Sequence, residues 1–126
     1  MQRKNISTGS KWEPIIGYSR AVCVENQIFV SGTTGSDASG KVSGDTYEQT
    51  RQALQNIAAA LGQAGSGLKD VVRTRIFMTD ISQWELAGKA HGEIFGEIRP
   101  ATTMVEVKRL IAPEMLVEIE ADAVLT

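Results

Sequence analysis

The C-terminal end of the chain alternates strictly between apolar and acidic residues. Val117, Ile119 and Ala121 occupy one parity, while Glu118 and Glu120 occupy the other. Because successive side chains of a strand point to opposite faces, this pattern predicts a strand with one core face and one acidic face. We expect this strand to lie in a sheet that helices cover on one side only.

Two other segments carry apolar residues at steps of three and four, which predicts two amphipathic helices. The first helix begins at Asp45, where Glu48 three residues later forms a capping pair, and it ends at Gly62 and the glycines that follow. The second begins at a predicted capping box, Ser82–Glu85, and ends at Pro100, because the residue before a proline avoids the helical region.

The remaining apolar segments read as strands, and their order with the helices is ββ-α-β-α-ββ. They cover residues 19–24, 27–31, 71–79, 102–109 and 115–125. The first two form a hairpin, and a turn at residues 112–114 joins the last two. This order predicts an α+β fold in which two helices pack on one face of a mixed sheet, as a single domain over residues 1–126.

The sheet face that the helices leave open is expected to be charged. Arg75 on the strand at 71–79 can share this face with Glu118, Glu106 and a few apolar side chains that include Met104 and Phe77. Two interpretations remain open at this point. The face is either solvated and laced with cross-strand ion pairs, or it forms a subunit interface or cleft in which some charges are matched and partly buried.

Composition excludes several classes of function. The net charge of -2 supplies no basic field for nucleic acid, so nucleic acid is a disfavoured partner. One cysteine and one histidine leave no set of ligands for a thiolate or histidine metal site, and we expect no metal. His91 lies on the apolar side of the second helix, which favours a packed, hydrogen-bonded histidine over a general base. The first residues lack the apolar core of a signal peptide and no segment could span a membrane, which predicts a cytoplasmic location.

Several motifs together resemble one known family over nearly the whole chain. They are Gly17-Tyr18 near the start, residues 71–80 (VVRTRIFMTD), residues 99–107 (RPATTMVEV) and residues 116–121 (LVEIEA). The chain is similar to the YjgF/RidA family of small trimeric proteins, the reactive intermediate deaminases that are also known as L-PSP endoribonucleases.

The resemblance implies a chorismate-mutase-like α+β fold that assembles as a homotrimer with clefts between adjacent subunits. Family deaminases hydrolyse the C=N bond of small imine or enamine metabolites in these clefts, which gives a carbonyl compound and ammonia without a cofactor. On this basis Glu118 corresponds to the glutamate that orients water, and Tyr18 to the pocket tyrosine. The hairpin end that also lines the pocket corresponds to Ser31, Gly32 and Thr33.

The chain departs from the family pattern where the substrate carboxylate is bound. The resemblance places the family's arginine at Thr102 and a cysteine at Met104. A threonine cannot form a two-point charged contact, and such a loss costs about 1.5–3 kcal/mol. One hypothesis is that Arg75 reaches the cleft and binds the anion instead. The alternative is that Arg75 pairs with Glu106 or Glu120 as a structural bridge.

The sequence therefore leaves three hypotheses for the function. The first is an imine or enamine deaminase, with Glu118 as the catalytic residue and with Tyr18, the 31–33 segment, Arg75, Thr102 and Met104 as binding residues. The second is a trimer on the same scaffold that binds a small metabolite, or acts as a chaperone, without catalysis. The third is the ribonuclease of the family name, which the acidic net charge disfavours.

Overall fold

The computed structural model describes residues 2–126 and contains one six-stranded sheet. The strands are β1 (Arg3–Ile6), β2 (Ala21–Val24), β3 (Gln27–Thr34), β4 (Val71–Met78), β5 (Ala101–Glu106) and β6 (Val117–Val124). The helices are α1 (Trp12–Ile16), α2 (Thr46–Gln63) and α3 (Trp84–Phe95), with short 3₁₀ turns at Leu68–Asp70 and Ile81–Gln83. The predicted α+β class is confirmed.

The sheet is mixed, as predicted, with the strand order β1-β2-β3-β6-β4-β5. Only β4 and β5 are parallel, and every other neighbouring pair is antiparallel. The hairpin of β2 and β3 is confirmed, with Ala21 opposite Val30. The last two strands do not pair with each other, because β6 enters the centre of the sheet between β3 and β4 while β5 forms the edge.

The core lies between α2, α3 and one face of the sheet. Leu54, Ile57 and Leu61 of α2 are fully buried against the apolar parity of β6, where Val117 and Ile119 are also fully buried. The other parity of β6 is only partly buried, as the alternation predicted. The helices therefore cover one face and leave the charged face open.

One of the two predicted helix caps is confirmed and the other is wrong. At the start of α2 the Asp45 side chain accepts from the Glu48 backbone N–H, and Glu48 in turn accepts from the Asp45 N–H. At the second helix, Asp80 rather than Ser82 supplies the capping oxygen, and it accepts from the Ser82 N–H at 3.0 Å. A 3₁₀ turn therefore precedes α3, which begins only at Trp84.

The sequence patterns missed two elements and misplaced some boundaries. Strand β1 and helix α1 were not predicted, because each has only four or five residues and neither shows a clear period. Strand β3 extends to Thr34, whereas β5 ends at Glu106 and β6 begins at Val117. Helix α3 ends at Phe95, and Arg99 adopts a left-handed backbone with φ of 54°.

Within residues 2–126, none of the helices combines the length and the apolar character that crossing a membrane requires.

Candidate functional site

A break in the register of β3 creates the first part of the site. The pairing of β3 with β6 shifts between Val30 and Thr33, so that Ser31 and Gly32 lie in a β-bulge. The Ser31 hydroxyl donates to the Ser19 carbonyl oxygen at 2.6 Å, which ties the bulge to the segment before β2. The bulge therefore has a backbone carbonyl, that of Gly32, available to a side chain from outside the strand.

Helix α1 positions the tyrosine of the site. The helix ends at Gly17, whose φ of 86° lies in the left-handed region that favours glycine. The backbone N–H groups of Gly17 and Tyr18 both donate to the Glu13 carbonyl oxygen, at 2.8 and 3.1 Å. The Glu13 carboxylate is itself buried and accepts from the Ser10 N–H at 3.1 Å, so the chain that leads into Tyr18 is held at two points.

Arg20 connects the tyrosine to the bulge. Its Nη1 donates to the Gly32 carbonyl oxygen at 2.8 Å and to Thr33 Oγ1 at 2.9 Å. Its Nη2 donates to the Tyr18 hydroxyl at 3.0 Å. We call Tyr18, Arg20, Gly32, Thr33 and Glu118 the Arg20 cluster.

Glu118 completes the cluster from the open face of β6. The side chain is half-buried beside Phe77, its cross-strand neighbour on β4. Burial is the main reason that the pKa of Glu118 lies above its ordinary value of 4.5, and the charge of Glu120 raises it further. The positive charge of Arg20 acts in the opposite direction and lowers it. The site thus holds a carboxyl group that binds a proton more readily than an ordinary glutamate does.

Gly32 allows the Glu118 carboxylate to approach the bulge. A Cβ built on Gly32 would collide with the carboxylate, and the nearest backbone or side-chain atoms that it meets all belong to Glu118. Residue 32 therefore lacks a side chain where Arg20 contacts its carbonyl oxygen on one side and Glu118 lies against its α-carbon on the other. The predicted residues Tyr18, Gly32, Thr33 and Glu118 are thereby brought together, with Ser31 beside them.

Arg75 lies on the same open face but in a different set of contacts. Its Nη1 is 3.2 Å from Glu120 Oε1 and 3.5 Å from Asp122 Oδ2. The register explains this arrangement, because Arg75 is directly opposite Glu120 in the pairing of β4 with β6. This geometry matches the alternative in which Arg75 forms a structural bridge to Glu120, and Asp122 is a second partner in that bridge. Glu106 takes no part, since its carboxylate accepts from the Ile81 N–H at 3.0 Å.

Thr102 and Met104 lie on the helix side of the sheet and not with Glu118. Met104 is opposite Ile76 and packs against the core, so the expectation that it shares the open face with Phe77 is wrong. Thr102 is opposite Thr74, whose side chain is fully buried under α3. The two strands run parallel in this register, which fixes the parity of β5 to that of β4.

Thr102 is the outer member of a second polar network. Its Oγ1 is 2.8 Å from Thr74 Oγ1, which is 2.9 Å from His91 Nε2. We call His91, Thr74 and Thr102 the threonine–histidine chain. The expectation of a packed, hydrogen-bonded His91 is confirmed, and burial lowers its pKa below the ordinary value of 6.5. His91 is therefore a neutral imidazole at pH 7.

Sequence reasoning missed Arg20. A usable signal was present, because Tyr18 and Arg20 are two residues apart and an extended segment places both on one side. The contact with residues 32 and 33 could not be predicted, since it depends on the bulge and not on the strand period.

A wide groove of about 660 Å³ borders the cluster at Tyr18 and Ser19, and Glu13 and Lys11 also line it. Within the part of the chain that the structure describes, no three His, Cys, Asp or Glu side chains are grouped as metal ligands would be.

Comparison with known proteins identifies relatives over nearly the whole chain. Residues 8–125 match the family described as Endoribonuclease L-PSP. The 2-iminobutanoate/2-iminopropanoate deaminase of Homo sapiens is 35% identical over 124 residues, covering 97% of this chain and 90% of that protein. The 3-aminoacrylate deaminase RutC of Acinetobacter baylyi is 36% identical over 112 residues, covering 87% of this chain and 88% of that protein.

A solved structure agrees with the fold in detail. Rv2704 of Mycobacterium tuberculosis, a member of the YjgF/YER057c/UK114 family, superposes with a TM-score of 0.91 at 54% sequence identity, and the match covers 98% of this chain and 100% of that chain. The sequence motifs, the bulged sheet with its helices on one face, and these relatives agree with one another. The chain therefore belongs to the Endoribonuclease L-PSP family, also known as the YjgF/YER057c/UK114 family.

Proposed function

We propose that the protein hydrolyses the C=N bond of a small imine or enamine and releases a carbonyl compound and ammonia. The observation that carries this proposal is the half-buried Glu118 carboxyl, which lies against Gly32 and near Arg20 and Tyr18. Relatives that are 35–36% identical are named as deaminases of 2-iminobutanoate, 2-iminopropanoate and 3-aminoacrylate, which supports this class of reaction.

The reaction needs a base that holds a water molecule and then returns its proton. The Glu118 carboxylate accepts a proton from water while the oxygen attacks the imine carbon, and the π electrons of the C=N bond move to nitrogen. Protonation of that nitrogen and collapse of the aminoalcohol break the C–N bond, leaving C=O and ammonia. An enamine is first protonated on carbon, which gives the iminium ion, the protonated form of the imine. A raised carboxyl pKa suits this role, because proton transfer is most effective when the pKa is close to the working pH.

We further propose that the active unit is a homotrimer in which the cluster of one subunit faces a neighbour. Two apolar side chains of the open sheet face, Phe29 and Val105, are 44% and 40% exposed in the single chain. Burial of such side chains stabilises an assembly. In this arrangement the edge strand β5 of one subunit, on which Thr102 is exposed, lines a cleft whose other wall is the Arg20 cluster of the next. Analytical ultracentrifugation tests the assembly, and a monomer at micromolar concentration contradicts it.

Imine hydrolysis is the direct test of the reaction. An amino-acid oxidase generates 2-iminopropionate while semicarbazide traps it, and we expect the purified protein to reduce the amount of trapped imine. Glu118→Gln should lower the rate at least about 100-fold, within the usual contribution of general acid–base catalysis. Glu120→Gln is the matched control, because Glu120 lies two residues away on the same face but pairs with Arg75.

Two outcomes contradict the proposal. If no imine in a panel of aliphatic and aromatic examples is hydrolysed faster with protein, the protein is not a deaminase of this kind. If Glu118→Gln and Glu120→Gln have equal rates, Glu118 is not the base.

A second candidate, a trimer that binds a metabolite without catalysis, is favoured by one observation. The Thr102 hydroxyl is already engaged within its own chain, with Thr74 at 2.8 Å and with the Pro100 carbonyl oxygen at 3.2 Å. The ribonuclease candidate is disfavoured, since the net charge of -2 supplies no basic field that would attract phosphates. Saturable binding of 2-oxo acids without any imine hydrolysis would support the second candidate.

A further inference from the structure

Arg20 is a half-buried cation whose direct partners are all neutral oxygens. The Gly32 carbonyl, the Thr33 hydroxyl and the Tyr18 hydroxyl accept three of its five N–H groups. Among residues 2–126, the remaining two N–H groups have no hydrogen-bond partner, and no carboxylate lies within 4.0 Å of the guanidinium. Glu118 influences Arg20 only through a longer-range charge interaction.

Arg75 shows how this fold neutralises an arginine that it uses structurally. Arg75, on β4, has two carboxylates within 3.5 Å, on Glu120 and Asp122. A partly desolvated cation is stabilised by an anion in contact with it, and a planar guanidinium matches a carboxylate in particular. Arg20 has the donors for such a contact and lacks the anion.

The position of Arg20 relative to Glu118 adds a second argument. Both side chains adjoin Gly32, with Arg20 on its carbonyl oxygen and Glu118 against its α-carbon. An anionic group on Arg20 would therefore bring the atom bonded to that group close to the Glu118 carboxyl. A compound whose carboxylate is bonded directly to the carbon of a C=N or C=O group has this arrangement.

We propose that Arg20 binds the carboxylate of the small-molecule substrate, so that this wall selects 2-imino or 2-oxo acids over their neutral analogues. The inference rests on the proposed function in one respect, namely that the substrate enters beside Glu118. It adds a substrate-binding residue on β2's N-terminal side that does not depend on Thr102. Arg20 also holds the Tyr18 hydroxyl and the bulge in place, and a purely positioning role is the alternative that the experiment must separate.

Equilibrium binding without turnover provides the test. The probes are pyruvate and its neutral amide, pyruvamide, measured by isothermal titration calorimetry on the purified full-length protein. We expect Arg20→Gln to weaken pyruvate binding by about 10- to 100-fold, as expected for loss of a charge-assisted contact. Pyruvamide should bind the wild-type protein and Arg20→Gln with affinities within about threefold of each other. Arg51→Gln, on the exposed side of α2, is the matched control and should leave both affinities unchanged.

Three results overturn the inference. The first is an unchanged pyruvate affinity in Arg20→Gln. The second is an equal loss for pyruvate and pyruvamide, which assigns Arg20 a positioning role only. The third is a wild-type protein that binds neither probe.

A measurement on the wild-type chain covers the case in which Arg20→Gln does not fold. The Nε–Hε signal of Arg20 in a ¹⁵N-labelled sample should shift when pyruvate is added, and by much more than when pyruvamide is added. If this signal does not shift when pyruvate is added, the inference is contradicted. The binding data are independent of imine hydrolysis, so a failed activity assay overturns the proposed reaction while pyruvate binding at Arg20 can still be observed.

Discussion

The Arg20 cluster and the threonine–histidine chain are both polar networks, but they differ in charge and in exposure. The cluster contains a cation and a carboxyl group, both half-buried on the open face of the sheet. The threonine–histidine chain contains a neutral imidazole and two hydroxyls, and its central member, Thr74, is completely buried under α3. Buried polar groups that satisfy one another stabilise a fold, whereas charged groups with unused hydrogen-bonding capacity are suited to bind a ligand. We therefore expect substitutions in the Arg20 cluster to affect activity and substitutions in the threonine–histidine chain to affect stability.

Among substitutions that keep the Glu118 side chain, the largest effect on activity is expected from Gly32→Ala. The new Cβ occupies the position of the Glu118 carboxylate, which can move aside because it ends a flexible side chain. A displacement of this size costs about 100-fold in rate, while the fold is retained. Imine hydrolysis and thermal unfolding measure the two effects.

Gly62→Ala is the control for this substitution, because nothing lies within 4 Å of its added Cβ near the end of α2. It should keep the full rate and stabilise the protein by up to about 1 kcal/mol. If the Gly32→Ala protein folds and keeps the wild-type rate, Glu118 takes no part in the reaction.

The largest effect on stability is expected from Thr74→Val. Valine keeps the shape of the side chain but removes, at the fully buried position 74, the hydroxyl that contacts His91 Nε2. Such a loss lowers the free energy of unfolding by about 1–3 kcal/mol. Thr102→Val should cost less than about 1 kcal/mol, because Thr102 is exposed and water replaces its hydrogen bond. Urea denaturation compares the two variants, and equal losses would contradict the assignment of the chain to stability.

Arg75→Ala tests whether the open face holds a second functional cation. Its ion pairs with Glu120 and Asp122 involve a side chain that is 40% exposed, and such pairs contribute about 0–1 kcal/mol. We expect a small loss of stability and an unchanged pyruvate affinity by calorimetry. A tenfold weaker affinity in a correctly assembled protein would instead support the hypothesis that Arg75 binds the anion.

The smallest expected effects are on the pH dependence of stability, to which the two networks contribute in opposite directions. Burial lowers the pKa of His91 below 6.5, so the unfolded state binds more protons and stability decreases as the pH falls from 6.5 through the lowered pKa. Burial raises the pKa of Glu118 above 4.5, so the folded state binds more protons and stability decreases as the pH rises from 4.5 through the raised pKa.

Two measurements separate these contributions. The single histidine of the sequence can be followed by proton NMR, and its ring signals should titrate below pH 6.5. Glu118→Gln should be more stable than the wild-type protein above the raised pKa, and this gain should vanish below pH 4.5. A His91 pKa above 6.5, or a gain that persists in acid, would contradict the burial of the respective group.

The local pattern of the sequence was sufficient for much of the fold. The alternation of Val117 and Ile119 with Glu118 and Glu120 predicted which face of β6 is buried, because strand geometry has a period of two. The pair of Asp45 and Glu48 predicted the start of α2, because a capping box needs only residues that are three apart.

The tertiary structure decided what a local period does not contain. The parity of Met104 follows from its register opposite Ile76, and a shift of one residue would have placed it on the open face. Arg20 became part of the site only because a bulge in β3 exposes the Gly32 carbonyl to it. The sequence by itself therefore determined the elements and their apolar faces, since these depend on neighbours along the chain. Strand register, the bulge and the contacts of Arg20 depend on residues that are distant in the sequence, and only the folded chain brings those together.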